Sequence, residues 1–329
     1  MRTRRHPGPN AAIAAVATVA ALTLAACTGP SGLDDLGREA PPTAEATDAP
    51  VTPAPPAPAT CDDATTSYDP LPQLPDPGTF ASGSTMQQIQ DRGTLVAGIS
   101  ADTLLMSSRN PLTGEIEGFD IDVLRDLSTA IFGEPDRVQF RVITSGERVG
   151  VLEGSEVDVV ARTFSMTCQR WESIAFSAEY YGAGQKVLVS AESDAESLED
   201  LAGQRVCAPE GTTTLQRLED YDVEAVPART HTACLVLFQR SQVEAITGDD
   251  TILAGFAAQD PYAKVVGEAI SAEPYGLGFP AASVDLVQLA NTVLAQRVAD
   301  GRWQASYDRW LSVLGTETTP PTPVYGRAS

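Results

Sequence analysis

Residues 157–181 read VDVVARTFSMTCQRWESIAFSAEYY. An apolar run, VDVVA, has the β-branched character of a buried strand. It gives way to two arginines, Arg162 and Arg170, among hydroxyl side chains, and then to a second apolar piece, IAF. Cations at the carboxyl end of a core strand call for an anionic partner, because open α/β sheets bind their ligands at that end.

Outward from this stretch, strand and helix patterns alternate. TLVAGIS (94–100) is a buried strand, and NPLTGEI (110–116) turns around Gly114 as a hairpin. FDIDVLRDLSTAIFG sets Leu124, Leu127 and Ile131 on one helical face and stops at Gly133. RVQFRVI is a strand, ERVGVLEG a short helix, VDVVARTF (157–164) the next strand and KVLVSA (186–191) another. The pattern then restarts through RVCAPE, a helix from Thr212, HTACLVLFQRSQ, VEAITGD and a helix from Asp250. YGLGFP (275–280) gives a last strand, followed by two amphipathic helices ending near residue 314. Repeated strand–helix units spell two α/β lobes.

The two ends of the chain read differently. MRTRRHPGPN is basic, AAIAAVATVAALTL is an apolar run of 14 residues, and Leu24-Ala25-Ala26-Cys27 closes it. The run is too short to span a bilayer, and together these are a signal peptide (1–26) with a lipoprotein box, the Cys27 thiol taking the lipid. Residues 30–77 hold twelve of the 24 prolines, so 27–79 is expected to be an extended Pro/Ala/Thr-rich tether. A Pro-rich tail occupies 317–329.

Composition narrows the function. The formal charge is −22, and −25 without Arg2, Arg4 and Arg5, which repels nucleic acid. Once His6 leaves with the signal, His231 is the remaining histidine, so neither a histidine metal cluster nor a Ser-His-Asp triad has its material. No P-loop spacing occurs, and no metal or cofactor is expected. Cys61, Cys168, Cys207 and Cys234 remain in an oxidising compartment, an even set favouring two disulfides with three possible connectivities; no C-x-x-C spacing suggests zinc. Asp120 and Asp122 in GFDID are expected to cap their own helix and meet its dipole, and Trp303 and Trp310 to pack in core or rim.

In order, LVAGIS, GFDID, VDVVARTFSMTCQR, KVLVSA, LAGQRVCAPEGTTT, QVEAITGDDTIL, YGLGF and ADGRWQASYDRWL resemble the family 3 extracellular solute-binding proteins, the polar-amino-acid receptors of ABC importers. The likeness covers residues 84–314. RNPLTGEIEGFDID, DDTILAGF and the PPTP tail are most similar to actinobacterial GlnH-type glutamine/glutamate/asparagine-binding lipoproteins. The resemblance implies an α/β, two-lobed periplasmic-binding-protein fold of type II, with two hinge crossovers and the ligand in the interlobe cleft. Lobe 1 would be 80–190 plus 275–316, lobe 2 would be 191–274, and the crossings would lie near 189–191 and 273–275.

Carried onto this chain, the family's carboxylate-binding arginine falls on Arg170 and its ammonium-binding aspartate on Asp249. Asp250 is the rival, since it opens the next helix and is equally placed to cap it. Thr163 and Ser165 would help hold the ammonium, by a backbone carbonyl and a hydroxyl, and Thr212 and Thr213 would offer N–H groups to the carboxylate, although ordinary capping uses the same geometry. Arg162 would pair with a side-chain carboxylate if its strand ended or bulged there. Ser100 stands where glutamine-binding relatives carry an aspartate, and Leu104, Leu105 or Met106 where an aromatic covers the ligand. With the lobes so placed, Cys207–Cys234 would bridge within lobe 2 and Cys61–Cys168 would pin the tether beside Arg170.

The implied protein is a monomeric, non-enzymatic receptor, lipid-anchored on the extracytoplasmic face of the membrane. It would take Glu, Asp, Asn or Gln by cleft closure for an ABC permease. Two other readings stand beside it: an amino-acid sensor signalling through a membrane protein to a Ser/Thr kinase, and a dehydratase-type enzyme on the same fold.

Overall fold

The computed structural model describes residues 64–315 and 318–328. Cys27, the signal peptide, Cys61 and the tether up to residue 63 lie outside the described residues.

Two separate sheets carry the two lobes. In lobe 1 the order is Val138–Val142, Leu95–Ile99, Val159–Val160, Gly278–Pro280 and Ile174–Phe176. The first three run parallel, and Gly278–Pro280 enters antiparallel. Leu95, Ala97 and Ile99 are fully buried, as a parallel strand covered on both faces requires. The helix Phe119–Phe132 packs its Ile121, Leu124, Leu127 and Ile131 into this core, each such side chain contributing about 1.5–3 kcal/mol of burial. It ends at Gly133 in the left-handed region (φ 75°), as read from the sequence. Its start needs a glycine too: at Gly118 φ is 139°, and a Cβ would sit 2.3 Å from the Met106 carbonyl oxygen.

In lobe 2 the order is Glu224–Ala228, Arg205–Pro209, Ala245–Asp249, the strand Tyr181–Ser190 and Ala263–Val266. The Cys207–Cys234 disulfide forms as expected, tying the helix His231–Gln239 onto the strand Arg205–Pro209. Cys168 is disulfide-bonded, and its expected partner Cys61 lies outside the described residues.

The first crossing comes earlier than 189–191. Strand Tyr181–Ser190 pairs with Ala272–Tyr275 over residues 181–184, and from Gln185 onward it belongs to the lobe 2 sheet. The hinge is therefore a short antiparallel ribbon, 181–184 against 272–275, and 185–190 is lobe 2. VDVVARTF is also shorter as a strand than its pattern: only Val159–Val160 pairs, and Thr163 takes φ 41°. Glycine aside, that conformation is uncommon, and it turns the chain away from the sheet.

Residues 64–79 are not a free tether. Ser67 is buried and donates to the Phe176 carbonyl, and Thr66 bridges to Val324 in the tail. Trp171 donates to the Ala64 carbonyl at 2.7 Å, while the Arg327 guanidinium lies 3.8 Å from the centre of the Trp171 ring. Residues 64–67 and 324–327 thus meet on lobe 1 next to Arg170.

Candidate functional site

Asp249 closes a lobe 2 strand and precedes the helix Asp250–Gln259 without capping it. Its carboxylate is spared for something else. Oδ2 accepts the Tyr275 hydroxyl at 2.6 Å, and Oδ1, although buried, has no partner among the described residues. Burial, with the Glu273 and Asp250 charges, pushes the Asp249 carboxyl up to about 7, against the Tyr275 hydrogen bond and Arg148, which pull it down. Asp250 turns its own carboxylate back on the start of its helix, where Oδ1 accepts the Thr251 amide at 2.7 Å. That is capping work.

Arg170 sits in the short helix Cys168–Trp171, whose Thr167 hydroxyl accepts the Arg170 amide. Its guanidinium lies over the Phe164 ring at 4.8 Å and donates to the Ser165 carbonyl and, across the cleft, to the Gly211 carbonyl at 3.2 Å. Burial lowers its pKa to about 10, while Glu273 and Asp249 hold it up. The Asp249 charge thus acts on Arg170, while the cation acting on Asp249 is Arg148.

A second cation, absent from the expectations, shares this place. Arg148 opens the helix Arg148–Glu153, is 3% exposed, and lies over the same Phe164 ring at 4.5 Å from its centroid. It donates to the carbonyls of Ser145, Arg162, Thr163 and Gly211. Burial, and then the Arg170 and Arg162 charges, push its pKa well down.

Arg148 and Asp249 face a tight cavity of about 10 Å³ between the lobes, room for about one water, with Thr163, Ser165, Thr213 and His231 also in its wall, so a ligand enters only as the lobes part. Arg170 and Gly211 line an adjoining hollow, and Thr212 and Thr213 line both spaces. The cleft is closed: a Cβ on Gly211 would lie 2.6 Å from the Gly146 Cα, and the Thr232 hydroxyl reaches Asp102 across it at 2.7 Å.

The remaining expected residues divide. Thr212 caps the helix Thr213–Arg217, its hydroxyl accepting the Leu215 amide, and Thr213 donates to Glu273 at 2.7 Å. Ser165 and Thr163 lie in the cavity wall, with the Thr163 carbonyl held by Arg148. Arg162 is the correction. Its strand does end early, but its guanidinium turns inward, 2% exposed, and donates to the Ile143 carbonyl and the Ser145 hydroxyl. It braces the wall, and Arg148 occupies the side of the cavity that Arg162 was expected to reach. Asp120 likewise does not cap its own helix: it accepts the Thr163 amide and the Tyr180 hydroxyl, and burial raises it to about 6. Ser100 bonds Asp102 and Thr103, and Trp303 packs in the core.

A carboxylate with a vacant buried oxygen, two guanidinium groups and a lobe-bridging cavity together suit a small zwitterion. The sequence pattern described as bacterial extracellular solute-binding proteins, family 3, matches residues 95–313. The chain belongs to that family. Among relatives of this family 3 protein, the ABC transporter glutamine-binding protein GlnH of Bacillus subtilis is 31% identical over 230 residues, 69% of this chain and 84% of the relative. The glutamate-binding protein GluB of Corynebacterium efficiens is 29% identical over 241 residues, 69% of this chain and 82% of its own length. Among solved structures, an ancestral arginine-binding protein bound to arginine superposes with TM-score 0.62 at 27% identity, covering 67% of this chain and 99% of the other. The family 3 solute-binding proteins are extracellular receptors, and the two-lobed type II architecture follows the same comparison.

Four groups escaped the reading of the sequence: Arg148, Tyr275, Glu273 and His231. Arg148 carried a signal, a cation opening the helix that follows a lobe 1 strand. Tyr275 and Glu273 lie on the hinge strand, where only the fold reveals that they border the cleft.

Proposed function

We propose that this family 3 receptor binds a polar or acidic L-α-amino acid, glutamate, aspartate, asparagine or glutamine, by closing its lobes around it. The observation that carries the proposal is the vacant Oδ1 of Asp249, buried in the same closed cleft as two arginines. A buried carboxylate oxygen without a donor is costly, and an α-ammonium supplies that donor. Arg170 takes the α-carboxylate, since a guanidinium presents parallel N–H groups that match it. The Gly211 carbonyl, on which Arg148 and Arg170 converge, gives way to that carboxylate. A ligand touching Arg170 in lobe 1 and Asp249 in lobe 2 stabilises the closed form over the open one.

Held at the membrane by Cys27, the receptor hands its ligand to an ABC permease, in line with the named role of the Bacillus relative. A thermal-unfolding screen against the twenty amino acids tests this reading. Stabilisation confined to glutamate, aspartate, asparagine and glutamine is expected; a melting temperature unmoved by all twenty would refute it.

A further inference from the structure

We propose that His231 reads the far end of the ligand's side chain and makes the site prefer a terminal carboxamide to a carboxylate. The proposal rests on the amino-acid reading above and names the chemistry of one end of that site.

His231 is the first residue of the helix His231–Gln239, and it is 6% exposed. Its imidazole forms part of the cavity wall that also holds Asp249 and Arg148, and Nδ1 has no hydrogen-bond partner among the described residues. Buried polar atoms are seldom left so. The hydroxyls around it are already engaged: Thr212 with the Pro209 carbonyl, Thr213 with Glu273, Thr214 with Thr212. Two residues of the cavity wall therefore each hold a buried polar atom without a partner among the described residues, Asp249 Oδ1 and His231 Nδ1. The ammonium meets the first. The second is left for the side chain.

The position of the imidazole is fixed from behind. Thr230 caps the helix, and Cys234, one turn on, is bonded to Cys207 in the neighbouring strand. Both hold the backbone from which the His231 ring projects.

Charge decides which end group fits. Arg148, Arg162 and Arg170 stand in and around the cleft among at least as many acids, Asp120, Asp249 and Glu273, with Asp102 and Asp250 acting on the same groups. A neutral zwitterion leaves this set unchanged, whereas an acidic one adds a buried negative charge without a spare counter-ion. Burial and the Arg162 and Arg148 charges keep His231 uncharged. A neutral imidazole has one donor and one acceptor nitrogen, and an amide can meet Nδ1 in either tautomer. A carboxylate can meet only a protonated nitrogen.

Calorimetric titration of wild type, His231→Ala and His231→Gln with glutamine, glutamate, asparagine, aspartate and α-aminobutyrate tests this. Wild type is expected to bind the better amide at least about tenfold more tightly than its matching acid. His231→Ala should lose about tenfold for that amide and less than about twofold for α-aminobutyrate, which has no end group, while His231→Gln recovers most of the loss. An acid bound more tightly than its amide by wild type overturns the proposal, as does an equal loss for α-aminobutyrate or no loss in either variant. Should His231→Ala fail to unfold cooperatively, His231→Gln carries the test through its amide-to-acid ratio. A wild type that binds none of the five fails earlier and overturns the receptor reading along with this one.

Discussion

The Tyr275 hydroxyl lies 2.6 Å from Asp249 Oδ2, joining the hinge strand to the base of the proposed ammonium site. It holds Oδ2 and leaves Oδ1 without a partner among the described residues, and it pulls against burial to keep the group ionisable near neutral pH. Tyr275→Phe is expected to weaken ligand binding about tenfold, the worth of a hydrogen bond to a charged group. Asp249→Asn and Arg170→Ala each leave a charge of the ligand buried and unpaired, so each should cost at least about 100-fold in affinity. Titration calorimetry reads all three, and an unchanged Kd in either of the last two would contradict the assignment.

The same carboxylate sets a pH dependence. The ligand-free carboxyl titrates near 7, and an ammonium needs the ionised form. Affinity should fall about tenfold between pH 8 and pH 6 as the ionised fraction drops. Stability runs the other way. Because the folded pKa lies above the ordinary carboxylate value, the folded state holds the proton more tightly than the unfolded chain between about pH 4 and 7. Asp249 therefore contributes stability to the ligand-free protein at the acid end of that window, lost as pH rises through 7. Comparing urea unfolding of wild type and Asp249→Asn across pH 5 to 8 isolates the effect: the wild-type advantage should shrink with rising pH.

Closure brings the backbones of Gly211 and Gly146 together. An alanine at 211 would place its Cβ 2.6 Å from the Gly146 Cα and would have to keep φ at +70°. The strained φ costs about 1–2 kcal/mol in open and closed forms alike, but the clash exists only in the closed one. Gly211→Ala is expected to lower stability by that modest amount and affinity by more than about tenfold, with the unliganded envelope in small-angle scattering more open. An affinity matching wild type would show that the lobes need not approach this closely.

Lobe 2 depends on its own staple. The Cys207–Cys234 bond closes a loop of 27 residues, which by chain entropy stabilises the fold by about 3–4 kcal/mol. Replacing both cysteines by alanine should lower the urea midpoint accordingly. It should also blunt ligand selectivity before ligand affinity, because Cys234 anchors the helix that starts at His231.

Much of this was legible in the sequence because local pattern and tertiary need agreed. The stretch LVAGIS is a strand in any context that covers both faces, and FDIDVLRDLSTAIFG carries both a helical stripe and its terminating glycine. Asp249 was set ahead of Asp250 by the family's pattern, and in the structure Asp250 Oδ1 accepts the Thr251 amide while Asp249 Oδ1 is without a partner among the described residues. Arg162 was expected to reach the ligand only if its strand ended or bulged; the strand does end at Val160, but the guanidinium turns to the Ile143 carbonyl and the Ser145 hydroxyl, a direction that VDVVARTF does not carry. The hinge was misplaced for a related reason: Tyr181–Ser190 is one unbroken strand whose two halves pair with different partners, and pairing is not written in the strand itself. His231 entered the reading only as a reason to exclude metals and triads, because a lone histidine has no spacing to interpret.

The central claim is that one amino acid is gripped at Asp249 and Arg170 at once, and a crystal structure of the chain from residue 28 onward, grown with its best-stabilising amino acid, tests it most directly. The account predicts the ligand's ammonium nitrogen within about 3.2 Å of Asp249 Oδ1 and its carboxylate on the Arg170 guanidinium, displacing the Gly211 carbonyl. A ligand bound with Asp249 Oδ1 still without a donor, or with its carboxylate away from Arg170, would contradict it.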